Sequence, residues 1–310
     1  MRIGYPCINL RIGCKSDKTF RLKSYSEQRL KMTIGGNIEC LHKILQFNVR
    51  HNILFFRITS DLVPFASHPI NRFNWQKCYG TNFEEIGDFI KRHNIRIAMH
   101  PDQFTLINSL DKTIFKRSQR ELLYHSNILD LMKLDNSAKI QIHVGGAYGE
   151  KMKSMKRFVS RFFELNDAIR RRLVIENDDR LYDLQDCIRI NEETQLPVLL
   201  DIFHHSLNCS GETLNEALRL SGQTWKKNRD GVPMLDYSSQ KPGAPRHQHA
   251  ETVDVRMFRS FLKTTLPNDF DVMLEIKDKE NSAIKAVKAA SGDPRFSKIV
   301  LNRTNPPSKG

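Results

Sequence analysis

The sequence predicts an α/β protein, a single-domain (β/α)8 TIM barrel, and three observations carry that expectation. Short apolar runs recur eight times, segments with helical spacing lie between most of them, and most of the runs end in acidic or imidazole side chains. Strands that are apolar on both faces belong to a parallel sheet covered by helices, and eight such units in 310 residues suit a closed barrel better than an open sheet. Active sites of such barrels lie at the carboxyl ends of the strands, so chemistry where the runs stop is what the fold requires.

The elements follow in order. "RIGYPCI" near residue 2 is the first strand, presenting Tyr5 and Asn9, and "NIECLHKILQFNVRHN" places apolar residues three and four apart, as an amphipathic helix does. "ILFFRIT" near 53 is the second strand, followed by "FASHPINRF" with His68 and Arg72, and "NFEEIGDFIKRHN" is helical again. "IRIAMH" ends in His100 and "KIQIHV" in His143. "RFVSRFFELNDAIRRR" reads as one helix leading to "LVIEN", which ends in Glu176. "PVLLDI" stops at Asp201 and delivers His204 and His205, and "ETLNEALRLSG" is the helix after it. "PMLDYSS" contributes Asp236, "DVMLEIKD" contributes Glu275, and "SAIKAVKAA" closes the eighth unit. Residues 1–300 read as one domain without a linker, and 301–310, polar and proline-containing, as a disordered tail.

Composition narrows the class. A hydrophobic fraction of 39% supports a sizeable core. No run of about 18 apolar residues and no signal-like amino terminus occur, so a membrane span is not expected and the cytoplasm is the default. Six scattered cysteines without a C-x-x-C pair point to reduced thiols. Lys and Arg outnumber Asp and Glu by 49 to 35, a formal charge of +14 spread along the chain, which makes a polyanion the natural partner.

Singly, a His after a strand is most often a loop or core residue, and a strand-end Asp the cap of the next helix. Together, converging carboxylates at one rim need a cation to offset them, and imidazole with carboxylate is the donor set of a borderline transition ion. The candidates His100, His143, Glu176, Asp201, His204, Asp236, His249 and Glu275 exceed the needs of one ion, and a bridging carboxylate such as Glu176 points to a cluster of two or three. Paired ions about 3.5 to 4 Å apart activate water and stabilise the attacking and leaving oxygens of a phosphodiester displacement. "RHQHAE" offers His247 beside His249, the latter favoured as ligand, and the loop "SSQKPGAPRHQH" with Lys241 and Arg246 reads alternatively as a basic arm for a nucleic-acid backbone. In "MHPDQFTLIN", Gln103 and Phe104 set an amide beside an aromatic in one loop, a pairing that serves as a wedge into a duplex if the ring does not fold back onto the core.

With these residues in place the sequence resembles the UV damage endonuclease family along essentially the whole chain, through "IGYPC", "FRITSDLVPFASHP", "HPDQF", "IHVGG", "IENDDR", "DIFHH", "DYSSQ" and "LEIKDKE". The resemblance implies a metal-dependent barrel enzyme, related to endonuclease IV, that nicks duplex DNA immediately 5′ to ultraviolet photoproducts and leaves a 3′-hydroxyl and a 5′-phosphate. It implies a metal cluster on His100, His143, Glu176, Asp201, His204, His249 and Glu275, with Mn²⁺ as the expected ion and Zn²⁺ or Mg²⁺ as alternatives. Gln103 and Phe104 would form the probing wedge, and Tyr5 and His68 would lie near the lesion and the scissile phosphate, so that Glu176, Glu275, His68 and Tyr5 are the expected catalytic set. Two departures stand out: Asp236 where some members have His, and Met234 where some have a modified lysine. The expected partner is lesion-bearing double-stranded DNA, met by a monomer. The rival reading is a sugar isomerase or epimerase of the xylose isomerase type, which neither the +14 charge nor an exposed Gln-Phe wedge favours.

Overall fold

The structure, a computed structural model, describes residues 1–297, so the expectation for the tail lies outside the described residues. All eight expected runs form strands: β1 Ile3–Pro6, β2 Phe55–Ile58, β3 Arg96–Met99, β4 Lys139–His143, β5 Leu173–Glu176, β6 Val198–Asp201, β7 Met234–Tyr237 and β8 Asp271–Leu274. They pair in parallel in sequence order, and β8 closes on β1 through Ile3 opposite Val272 and Gly4 opposite Met273. The helices are α1 Glu27–Arg50, α2 Trp75–Arg92, α3 Lys112–Leu131, α4 Lys151–Phe163, α5 Asp167–Arg170, α6 Leu184–Thr194, α7 Ile202–Leu207, α8 Leu214–Gln223, α9 Lys227–Asp230, α10 Val255–Thr264 and α11 Glu280–Ala289. Among the described residues no helix is long and apolar enough to cross a membrane.

The two-residue period of a strand divides the barrel interior into layers. At the amino-terminal end two buried ion pairs plug the floor: Arg96 with Asp271 at 3.0 Å and Lys139 with Asp230 at 2.6 Å. Above them lies a small apolar layer of Phe55, Ala98, Val174, Leu199, Trp225, Met234 and Met273. Two residues further along the same strands stand Arg57, His100, Glu176, Asp201, Asp236 and Glu275, with Gln141 two residues beyond Lys139 of the floor, so the strand alternation lifts polar groups onto an apolar platform. Met234 is fully buried in that platform, which accounts for an apolar side chain there. The outward positions, among them Tyr5, Phe56, Ile140 and Ile175, join the helices in the larger core.

Glycine sets the closeness of β1 to β2: a Cβ on Gly4 would lie 2.1 Å from the Phe55 carbonyl oxygen, so no side chain fits.

Three differences from the sequence expectations have identifiable physical causes, two of them local. Helix α1 begins at Glu27, before its apolar pattern becomes regular, because Ser26 accepts a hydrogen bond from the Arg29 N–H and caps it. The segment 157–172 is two helices, since the Asn166 side chain takes the Ala168 N–H at 2.7 Å and starts α5 afresh. The expectation of six reduced thiols is corrected: Cys14 and Cys40 form a disulfide, with Cα atoms 5.9 Å apart, because the segment after β1 folds back along α1. A pair 26 residues apart in sequence carries no spacing signal, so only the tertiary fold reveals it.

Candidate metal centre

Strand ends bring the expected ligands to one rim. His143 is in register with Glu176 across β4 and β5, and Asp201 with Asp236 across β6 and β7. Glu176 lies at the middle: His100 Nε2 is 3.4 Å and His143 Nε2 3.9 Å from its Oε2, while His204 Nδ1 is 3.3 Å from its Oε1. Three groups of donor atoms, each within 4.8 Å of one another, follow: His100, His143 and Glu176; Glu176, Asp201 and His204; and Asp201, Asp236 and Glu275. Glu176 belongs to two of them and so stands where a bridging carboxylate would. His249 approaches from the β7–α10 segment, its ring 6.3 Å from that of His204, with Nδ1 held 3.0 Å from the Glu275 carbonyl oxygen.

The arrangement is built by the backbone around it. Asp201 caps α7, its Oδ1 accepting the His204 N–H at 2.7 Å, which turns the helix so that His204 faces the same cavity. Asn177 ties the ends of β5 and β6 together, donating to the Asp201 carbonyl at 3.0 Å and accepting its N–H at 2.9 Å. His100 is fixed through Nδ1, 2.7 Å from the Pro101 carbonyl oxygen.

Electrostatics mark the site as charged and desolvated. Burial pushes the Asp201 carboxyl well above the usual range, with Glu176, Glu275 and Asp236 adding repulsion against the opposing pull of His204. Glu176 is held well below the usual range because three imidazoles outweigh its burial. His204 is raised to about 11: Asp201 and Glu176 overcome a burial that acts in the opposite direction. For Glu275 burial acts upward but Arg57 wins, leaving it at about 2.

Divalent ions fit this donor set. Asp201 Oδ2 is buried with no hydrogen-bond partner, and the nitrogen and carboxylate donors around it are those borderline ions take.

The sequence reading missed Arg57 and Gln141. Arg57 lies on the platform, its side chain 4% exposed, pairing with Glu275 and donating to Gln141 Oε1 at 2.7 Å and to the two Asp236 oxygens at 2.8 and 2.7 Å. Gln141 donates to Asp236 Oδ2 at 2.6 Å and to Glu176. The available signal was the period of two: Gln141 precedes His143 by two residues in "KIQIH" and therefore shares its face.

Other expected residues separate. Tyr5 needs correction: it is fully buried on the outer face of β1, its hydroxyl donating to Asn48 Oδ1 at 2.7 Å and accepting from Asn9 at 2.8 Å, so it does not reach the mouth. Strand alternation points it at α1, and burial raises its phenol further from ionisation. His247 turns away from the rim to Asp179, 2.5 Å distant, whereas His249 turns inward. Lys241 is engaged by Glu251 at 2.7 Å, and Arg246 is exposed, donating to the Leu207 carbonyl at 3.3 Å. Gln103 and Phe104 are exposed on the β3–α3 loop; the Phe104 ring is 73% exposed, and its N–H is tied to Asp102 Oδ1 at 2.7 Å. His68 and Arg72 are exposed on the β2–α2 segment.

Comparison with known proteins decides the family. The model of the UV-endonuclease UvdE family matches residues 1–300. The chain belongs to that family. A curated UvdE relative, the UV DNA damage endonuclease of Clostridium perfringens (strain 13 / Type A), is 36% identical over 292 residues, covering 93% of this chain and 70% of the relative. The crystal structure of SacUVDE superposes with a TM-score of 0.90 at 45% identity, covering 94% of this chain and 98% of that one. D-psicose 3-epimerase from Clostridium cellulolyticum H10 aligns with a TM-score of 0.53 over 84% of this chain and 94% of that one, but at 12% identity it shows the shared barrel alone. As a UvdE-family member the chain is an endonuclease of the UV-damage type, and DNA is what it acts on.

Proposed function

We propose that this protein is a metal-dependent DNA repair endonuclease that nicks duplex DNA immediately 5′ to cyclobutane dimers and 6-4 photoproducts, leaving a 3′-hydroxyl and a 5′-phosphate. The observation that carries the reading is Glu176, a buried carboxylate shared by two groups of ligand atoms at the mouth of a basic, UvdE-family barrel. His100, His143, Glu176, Asp201 and His204 would hold the ions, with His249 and the free oxygen of Glu275 completing their surroundings, and Mn²⁺ is the ion proposed. When bound, paired divalent ions supply an activated water and offset charge on the attacking and leaving oxygens.

The chain's own residues do the rest. Asp201 and Asn177 hold the rim rigid, and Arg57 keeps Glu275 ionised at neutral pH. His68 and Arg72 on the exposed β2–α2 segment, with Lys241 and Arg246, would contact phosphates. Gln103 and the exposed Phe104 ring test how readily a base pair opens; a photodimer stacks and pairs poorly, so extruding it costs less than the few kcal/mol of an intact site.

An end-labelled duplex with one cyclobutane dimer, incubated with metal-stripped protein with and without Mn²⁺, tests this. A Mn²⁺-dependent nick just 5′ to the dimer, absent from undamaged duplex and from a Glu176→Gln variant, is expected. No cleavage with any divalent ion would sink the reading.

A further inference from the structure

Four buried or half-buried carboxylates ring the platform, and they are not equivalent. Asp201 leaves Oδ2 without a hydrogen-bond partner. Asp236 leaves neither oxygen free: both accept from Arg57, at 2.8 and 2.7 Å, and Oδ2 also accepts from Gln141 at 2.6 Å. Glu275 gives Oε1 to the same guanidinium. Among the three groups of candidate ligand atoms, the one formed by Asp201, Asp236 and Glu275 is therefore the one that faces a permanent cation, which cannot give up a proton to become a ligand as an imidazolium can. The guanidinium cannot be deprotonated at any working pH, and its planar fork matches two carboxylates at once. A divalent ion entering that group would have to displace these charge-assisted bonds and sit beside a fixed positive charge in a desolvated cavity.

We propose that Arg57 is a built-in cation standing in the place of one metal ion, so that the centre binds two divalent ions, at His100, His143 and Glu176 and at Glu176, Asp201 and His204, and Asp236 serves as the counter-charge of Arg57 instead of a ligand. The inference rests on the metal-dependent reading above and specifies its stoichiometry. Charge balance agrees: with Arg57 neutralising one of the four carboxylates, two dications leave the centre close to neutral, whereas a third would give it a large positive excess. Gln141 is the spacer in this scheme, linking Asp236 to Glu176 so that the arginine pair and the metal-bridging carboxylate keep a fixed separation.

The test counts ions and does not depend on cleavage. Full-length protein stripped of metal is titrated with Mn²⁺, and bound ions per chain are counted by native mass spectrometry and by the loss of the free-ion electron paramagnetic resonance signal. Two ions are expected for the wild type, two for Asp236→Asn, one for Asp201→Asn, and a third gained by Arg57→Gln. Three ions in the wild type, or loss of an ion in Asp236→Asn, overturns the inference and leaves the metal-dependent reading standing. No ion bound by the wild type overturns that reading itself. Should Arg57→Gln fail to fold, the near-isosteric Asp236→Asn variant still decides.

Discussion

Asp201 divides its two oxygens between jobs: Oδ1 caps α7 through the His204 N–H, and Oδ2 lies buried in the cavity without a hydrogen bond, 3.5 Å from His204 Nδ1. An Asn at this position keeps a capping oxygen and loses the anionic donor. Asp201→Asn should therefore retain wild-type helix content by circular dichroism while Mn²⁺ affinity falls by on the order of a hundredfold, a loss comparable to the larger effects known for groups around a metal. His204, raised to about 11, gives a second prediction. Its unfolded value is about 6.5, so its contribution to the stability of the metal-free protein is complete below pH ~6.5 and is lost as pH rises towards 11. The denaturation midpoint of metal-free wild type should drop more between pH 7 and 10 than that of His204→Asn. With His204 as the proposed ligand, ion binding has to displace the same proton, so Mn²⁺ affinity should rise about tenfold per pH unit, a slope that His204→Asn flattens. The candidate ligands His100, His143, Glu176 and Asp201 were legible in sequence because each ends an apolar run. Arg57 was not, since one basic residue inside "FFRIT" carries no sign of which carboxylates it meets across the barrel.

At the scale of elements, β1 depends on Gly4. A methyl group there would collide with the backbone of β2 and not with a movable side chain, so Gly4→Ala should cost about 3 kcal/mol of stability in urea unfolding, with the candidate metal ligands untouched. The Cys14–Cys40 bond ties the segment after β1 to α1 and closes a loop of 26 residues. In the chain-entropy account that is worth roughly 3.5 kcal/mol, so under oxidising conditions Cys14→Ser should unfold at lower denaturant, and a reductant should bring the wild type to the same midpoint. Strand positions were readable because continuous apolar runs bounded by charge admit few alternatives. Helix limits were less so: a single side-chain cap, Ser26 for α1 and Asn166 for α5, decides where a helix starts.

For the whole molecule, the proposed reading gives the +14 charge and the exposed Phe104 ring separate parts in binding. Charge supplies affinity without selectivity, so binding to undamaged duplex should weaken linearly in log–log terms as salt rises. If the ring is the proposed wedge, its stacking supplies discrimination: Phe104→Ala should lower kcat/KM on dimer-containing duplex about tenfold or more, as expected for losing one stacked ring, with the salt dependence and Mn²⁺ content unchanged. A parallel change in undamaged-duplex affinity would show that the ring only adds contact area.

The sequence by itself determined the closed barrel, the order of its eight strands and the convergence of His100, His143, Glu176, Asp201, His204 and Glu275 on one rim, because strand periodicity and the chirality of βα units leave little freedom. Only the tertiary structure decided what each rim residue meets. Tyr5 turns outward into the helices, His247 goes to Asp179, Cys14 finds Cys40, and Asp236 is claimed by Arg57 across the barrel. These outcomes depend on contacts between residues from 26 to 179 positions apart, in which competition for a partner in a desolvated space, and no local pattern, sets the result.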